Sequence, residues 1–361
     1  MGRAIRYSMF GESHGVGIGA VLDGLPAGIE IDPAEIRRDL DRRKPGASKL
    51  STKRVETDEA EILSGVKDGR TSGGPIAFLI RNADARSSDY DGDLPRPSHA
   101  DLPAFYKHGG FADMRGGGRF SGRLTAPLVA AGAVARQIMA RRGIVAGSHL
   151  LCIGELDDQA FGFGEAPNAE QLEAFRAEHL PLINRGMKGS MELRIEKARA
   201  DMDSVGGRVE TAVLGLPPGV GEPPYEGIEG ALAAWIFAIP GVKAFESGAG
   251  RDFSRMRGSE SNDPIALRDG EPRPLSNRSG GVNGGITNGN CLIFSTTMRP
   301  TASISVPQRS VRLSSKREEE LVVKGRHDPC IVPRAVPVIE AAALLCLLDL
   351  LIQAEGPGWM R

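Results

Sequence analysis

The chain has 361 residues, 40% hydrophobic, 25% charged and 5% aromatic, with a formal net charge of −1. That is enough apolar content for one large core or two smaller ones, and near-neutrality argues against a general nucleic-acid or membrane-surface binder. Cys152, Cys291, Cys330 and Cys346 are scattered with no CxxC pair, so no zinc site or disulfide framework is expected, and free thiols fit a reducing cytoplasm.

Met1–Phe10 carries no apolar signal segment. Val16–Leu22 reads as a strand, closed by the turn Asp23–Gly28. Asp32-Pro-Ala-Glu35 supplies an N-cap, a proline at the first helical position and a capping-box carboxylate. The helix it opens is predicted to reach about Arg43 and to stop before Pro45. Basic residues from Arg37 to Arg54, Arg43 and Lys49 among them, cluster around its end. Gly74–Ile80 reads as a strand and Asp84–Pro97 as a long ordered loop. Helices are predicted over Leu124–Arg141, from Asn168 to about His179, and over Ser190–Met202, Glu226–Phe237 and Val336–Ala354. Strands are predicted at Leu150–Ile153, Val209–Leu216 and Cys291–Thr296. The longest apolar tract, Ala335–Ile352, contains Pro337, Glu340 and Asp349, so it reads as a buried helix and not a membrane span.

Two blocks run parallel. Ala20–Gly28 (AVLDGLPAG) resembles Ala212–Gly219 (AVLGLPPG), and each leads into a helix. Gly73–Leu79 is loosely matched by Asn288–Phe294, and Ser98–Asp101 by Arg326–Pro329. This pattern predicts one domain over 1–361 made of two pseudo-repeated halves, roughly 1–145 and 146–361, with a site between them.

Arg115–Ala126 (RGGGRFSGRLTA) carries the strongest binding signal. Gly116, Gly117, Gly118 and Gly122 allow φ > 0 and close backbone approach, while Arg115, Arg119 and Arg123 supply forked donors. A glycine-rich loop feeding a helix N-terminus suits an anion. On local grounds the same stretch also reads as a solvated surface loop. His14, in a Gly-flanked Ser-His pair, reads as an acid/base group or a loop imidazole, and His99 reads the same way. Asp328, beside Arg326 and His327, reads as an ionised carboxylate near a helix N-terminus or as a plain N-cap. No metal motif is present.

Three separated motifs, Phe10-Gly-Glu-Ser-His-Gly15, Arg115–Thr125 and Gly325-Arg-His-Asp-Pro-Cys330, resemble the chorismate synthase family. Asp41–Gly46, Ile62–Gly65 and Asp203–Gly207 extend the resemblance over essentially the whole chain. Phe120 and Leu124 depart from it where the family often has a hydroxyl and a carboxylate, and Ser98 stands where the family commonly has glycine.

The resemblance implies an α+β fold, a β-α-β sandwich with helices packed between two antiparallel sheets, assembled as a homotetramer. It implies a carbon–oxygen lyase of aromatic biosynthesis in the cytoplasm, releasing phosphate from 5-enolpyruvylshikimate 3-phosphate by 1,4-elimination with reduced FMN (FMNH2) required. By resemblance, His14 protonates the departing phosphate, His99 protonates or stabilises the reduced flavin, and Asp328 assists proton removal. FMN is implied along Arg119, Phe120, Ser121, Gly284, Arg299, Pro300, Thr301, Ala302, Ser303 and Arg326. Arg43 and Lys49 match a pair linked to phosphate of the substrate or of a nicotinamide nucleotide. NADPH or an external flavin reductase is the expected reductant. The competing readings are an FMN-dependent oxidoreductase acting on a phosphorylated acidic substrate, and an RNA binder using Arg115–Arg123. The helix that follows that loop and the near-zero charge speak against RNA.

Overall fold

The structure, a computed structural model, describes residues 1–46, 57–82, 91–268, 270–323 and 328–360. Lys49, Arg326 and the Asp84–Tyr90 part of the predicted loop lie outside them.

Two antiparallel sheets enclose a layer of helices. The first holds β1 (Arg6–Gly11), β2 (Gly17–Asp23), β3 (Ala60–Ser64) and β4 (Ile76–Arg81) in the order β1-β2-β4-β3. The second holds β5 (Val145–Ile153), β6 (Leu156–Asp157), β7 (Gly207–Leu214), β8 (Val242–Ser247) and β9 (Leu292–Met298) in the order β8-β9-β7-β5-β6. The helices are α1 (Pro33–Arg43), α2 (Asp101–His108), α3 (Thr125–Ala140), α4 (Ala169–Arg176), α5 (Lys188–Ala200), α6 (Ile228–Phe237), the single turn α7 (Gly258–Ser261) and α8 (Val332–Glu355). The fold is α+β, as the resemblance implies.

Side-chain alternation fixes the sandwich. Ile18, Ala20 and Leu22 of β2 stand opposite Ile80, Phe78 and Ile76 of β4, and all six are buried. A one-residue slip would turn that set to the outer face. α3 packs on β2 and β4 with one side and touches β5 with another, while α8 lies across β5 and β7 and against α1, α3 and α6. α8 is long and apolar enough to span a bilayer, yet its whole apolar window is buried between the layers. A helix apolar all round needs such an enclosure. Gly132 of α3 abuts Ala341 of α8 so closely that a Cβ would overlap the alanine side chain.

Helix starts follow the local chemistry. The Asp32 carboxylate accepts the Ala34 N–H at 2.8 Å and Asn168 accepts the Gln171 N–H at 2.8 Å. Each side chain satisfies a backbone donor that the first helical turn leaves open.

The two parallel sequence blocks form turns held by matching bonds. The Gly28 N–H donates to the Thr71 carbonyl at 2.7 Å and the Ile29 N–H to the Thr71 hydroxyl at 2.9 Å; that hydroxyl donates to the Pro26 carbonyl at 2.6 Å. In the second half, Gly219 donates to the Thr287 carbonyl at 2.9 Å and Val220 to the Thr287 hydroxyl at 2.9 Å, which donates to Pro217 at 2.7 Å. Gly28 and Gly219 take φ of 92° and 95°, a left-handed conformation that costs glycine little.

Candidate active site

The glycine run seats the first motif. Gly116, Gly117 and Gly118 have φ of 62°, 86° and 51° within a pair of 3-10 turns that lead into α3. A Cβ on Gly116 would overlap the His14 imidazole, and the Gly118 carbonyl accepts the Ser13 N–H at 3.2 Å. The three arginines of this loop do different work. Arg115 is exposed and forks Asp113 at 2.8 and 2.6 Å. Arg119 is exposed, its guanidinium 6.0 Å from the Phe120 ring centroid. Arg123 is buried and bonds Asp58, the Asn82 side-chain carbonyl at 3.1 Å and the Arg81 carbonyl at 3.2 Å.

Asp58 joins this loop to α1. Its fully buried carboxylate lies between Arg123 and Arg43, and the Arg43 Nε reaches the Thr125 hydroxyl at 3.1 Å. Burial alone would raise the Asp58 pKa, but the two guanidiniums hold it below the ordinary carboxylate range. Arg43, expected to meet phosphate, thus spends two of its donors inside the protein while still lining the cavity described below.

His99 sits in a braced loop. Arg96 forks Asp101 through Nε and Nη2, each at 2.8 Å, and Arg299 donates to the Ser98 carbonyl at 3.0 Å. Ser98 takes φ of 61°, which explains why glycine suits this position. The His99 Nδ1 faces the Pro97 carbonyl at 3.3 Å and its Nε2 lies 2.8 Å from the Ser303 hydroxyl. A carbonyl only accepts, so Nδ1 carries the hydrogen and Nε2 accepts from Ser303. Burial, then the Arg96 charge, push the imidazole pKa down to about 4, so it is neutral at pH 7.

These segments meet around a cavity of about 780 Å³. Arg43, His99, Asp328, the stretch Arg119–Ser121 and the stretch Arg299–Ser303 all border it, as does Gly116, against which His14 lies. Leu128, Trp235, Ile239 and Val242 supply an apolar wall. Arg334, which lines the same space, bonds Asp328. Gly284 is the exception. It lies in the turn between Val282–Asn283 and Ile286–Thr287, whose next glycine packs on Gly227 at the start of α6, whereas the cavity is bordered by the far end of that helix. Ten helical residues, about 15 Å, separate the two ends. Among the described residues no group of three or more His, Cys, Asp or Glu side chains could hold a metal ion.

Asp58, Arg334 and Trp235 were not legible as site residues. Only Arg334 carries a signal, since an arginine in the first turn of an apolar helix must find a partner or water.

Residues 5–352 match the family model described as chorismate synthase. The chain is 45% identical over 350 residues to the chorismate synthase of Korarchaeum cryptofilum, covering 96% of each, and 42% identical over 357 residues to that of Thermococcus kodakarensis, covering 98% of each. It also superposes on a crystal structure of chorismate synthase with a TM-score of 0.78 at 29% identity, covering 99% of this chain and 94% of that one. With near-complete coverage by both sequence and fold, and with Arg119–Thr125 and Asp328 of the family's motifs bordering one arginine-rich cavity, the chain belongs to the chorismate synthase family.

Proposed function

We propose that this carbon–oxygen lyase of the shikimate pathway carries out its elimination in the 780 Å³ cavity, with 5-enolpyruvylshikimate 3-phosphate bound beside reduced FMN. The observation that carries the proposal is the convergence of Arg43, Arg119, Arg299 and Arg334 with His99 and Asp328 on that one space. The substrate carries a phosphate and two carboxylates, and guanidiniums suit both groups.

The residues present fit a flavin. The volume lies within the usual range for small-molecule sites of about 300–1,000 Å³. The bare backbone of Gly117 allows close approach, Trp235 and Leu128 offer an apolar wall, and Arg119 and Arg299 offer donors for a phosphate. Arg119, Arg299 and the Gly117 backbone would hold reduced FMN, which would supply transient electron density for C–O cleavage in a net redox-neutral reaction. His14 donates a proton to the leaving phosphate. His99, neutral with an accepting Nε2 in the free chain, gains a proton only once bound anions favour the imidazolium. Asp328 receives or steers the substrate proton. The same reading carries a homotetramer, cytoplasmic residence and reductant delivered as NADPH or by an external flavin reductase.

The test is an anaerobic assay with photoreduced FMN, with and without NADPH. Many products per flavin, with no NADPH consumed per turnover, are expected. Stoichiometric consumption would favour an FMN-dependent oxidoreductase. In the same assay His14→Ala is expected to lose about 10²–10⁴-fold in kcat with flavin affinity unchanged, and unaltered turnover would remove its acid role.

A further inference from the structure

Arg334 is in an unfavourable place for a cation. It is the third residue of α8, inside the first helical turn, where the backbone dipole presents its positive end. Two acceptors hold it there. Its Nη1 bonds the Asp328 carboxylate six residues earlier in the chain, and its Nε donates to the Arg43 carbonyl at 3.0 Å. Arg43 is the last residue of α1, so that carbonyl has no partner within its own helix. Asp328 and Arg334 are both largely buried, at 8% and 18% side-chain exposure, and both border the cavity. Pro333, just before Arg334, fixes the backbone φ of that turn.

The guanidinium therefore ties the carboxylate to two rigid elements. One is the first turn of α8. The other is the end of α1, which Arg43 itself locks to Asp58 and, through it, to Arg123 on the glycine loop. We infer that Arg334 is a positioning residue for the elimination, setting the place and orientation of the Asp328 carboxylate against the bound substrate. The inference rests on the role proposed above for Asp328.

Arg334→Gln, Arg334→Lys, Asp328→Asn and the Asp328→Asn/Arg334→Gln double variant separate the possibilities. With the full chain and reduced FMN, Arg334→Gln is expected to lose about 10–100-fold in kcat, a share of what a positioned proton-transfer group contributes. Its flavin dissociation constant, read by fluorescence titration, should stay within about twofold of the parent and its substrate KM should move less than kcat. Arg334→Lys, which keeps one charged donor, should recover part of the loss. The double variant should be no slower than Asp328→Asn alone, because two groups acting as a unit are non-additive. Losses that multiply in the double variant, or an unchanged kcat in Arg334→Gln, would overturn the inference while leaving the Asp328 role intact. A fully active Asp328→Asn enzyme would instead remove that role, and this inference with it. A flavin affinity that collapses in both Arg334 variants would mark a general packing role and also overturn it.

Discussion

Arg42 and Arg43 are neighbours at the end of α1, and they belong to two different ionic centres. Arg42 turns into the helical layer. It donates to Glu340 at 2.7 and 3.2 Å and to Asp39 at 3.3 Å, and those carboxylates also take Arg136 at 2.6 and 3.0 Å. Arg176 completes the group with bonds to Asp39 and Glu35 at 3.1 Å. Arg43 turns to the cavity, where it shares Asp58 with Arg123 and lies near Arg334. Burial lowers the pKa of both arginines, but the outcomes differ. At Arg42 the facing Glu340 and Asp39 outweigh burial and the pKa rises. At Arg43 burial and the repulsion of Arg334 and Arg123 outweigh Asp58, and the pKa falls to about 10. One centre is balanced within the fold. The other holds surplus positive charge at the cavity wall, a place that an anionic ligand would relieve.

The largest expected effect breaks the balanced centre. Glu340→Gln leaves Arg42 and Arg136 facing a neutral amide in a wholly buried site. Removing one partner of a buried pair costs about 3–5 kcal/mol. The denaturant midpoint should fall accordingly, while kcat of the folded enzyme stays at the parent value; a tenfold drop in kcat at intact stability would erase the distinction between the two centres. Asp58→Asn should cost somewhat less, about 3 kcal/mol at the low end of the same range, because the two guanidiniums it frees border a cavity that anions can enter. Added inorganic phosphate, scanned by thermal melts, should therefore stabilise Asp58→Asn more than the parent, following about RT ln(1 + [L]/Kd). Glu340→Gln should gain no more from phosphate than the parent does. Equal gains in both variants would mean that the cavity has no special appetite for anions.

The same contrast explains what was legible in the sequence. Caps, helix faces and apolar tracts are local, so α1, α3, α4, α6 and α8 stand within a few residues of expectation. The strand expected at Leu150–Ile153 starts five residues earlier, at Val145, because Gly147 and His149 interrupt its apolar pattern. Both have tertiary reasons: a Cβ at Gly147 would crowd Leu172, and His149 meets Glu210 on the neighbouring strand. β1 carries no legible strand pattern: of its side chains only Tyr7 is buried, while Arg6, Ser8, Met9 and Phe10 are exposed, so buried and exposed positions do not alternate. In the site, motif arginines and histidines were legible by type and spacing. Their partners were not: Asp58 lies 65 residues from Arg123 in sequence, and nothing local marks it as the carboxylate that two arginines share.

A third ionic centre, remote from the cavity, carries the smallest expected effect. His149 on β5 stands directly opposite Glu210 on β7, and its Nε2 lies 2.9 Å from the Glu210 carboxylate. Asp158 approaches the Nδ1 at 3.7 Å and also accepts the Ile183 and Asn184 N–H groups at 2.7 and 3.0 Å. Burial by itself would lower the imidazole pKa, but Asp158 and Glu210 together raise it above 6.5. A group whose pKa is higher in the folded state stabilises fully below its unfolded value and loses that contribution as pH rises through the folded value. The parent should therefore lose stability as pH climbs from 6.5 through the elevated His149 pKa. A charge-assisted hydrogen bond contributes about 1.5–3 kcal/mol, so His149→Gln should be destabilised by about that much at pH 6, and the gap should narrow towards alkaline pH. Urea midpoints for both proteins between pH 6 and 9 measure the gap. Parallel curves would show that His149 is neutral in the fold. The centre would then be a hydrogen-bonded strand pair, and the charge argument would hold only for the two arginine clusters at α1.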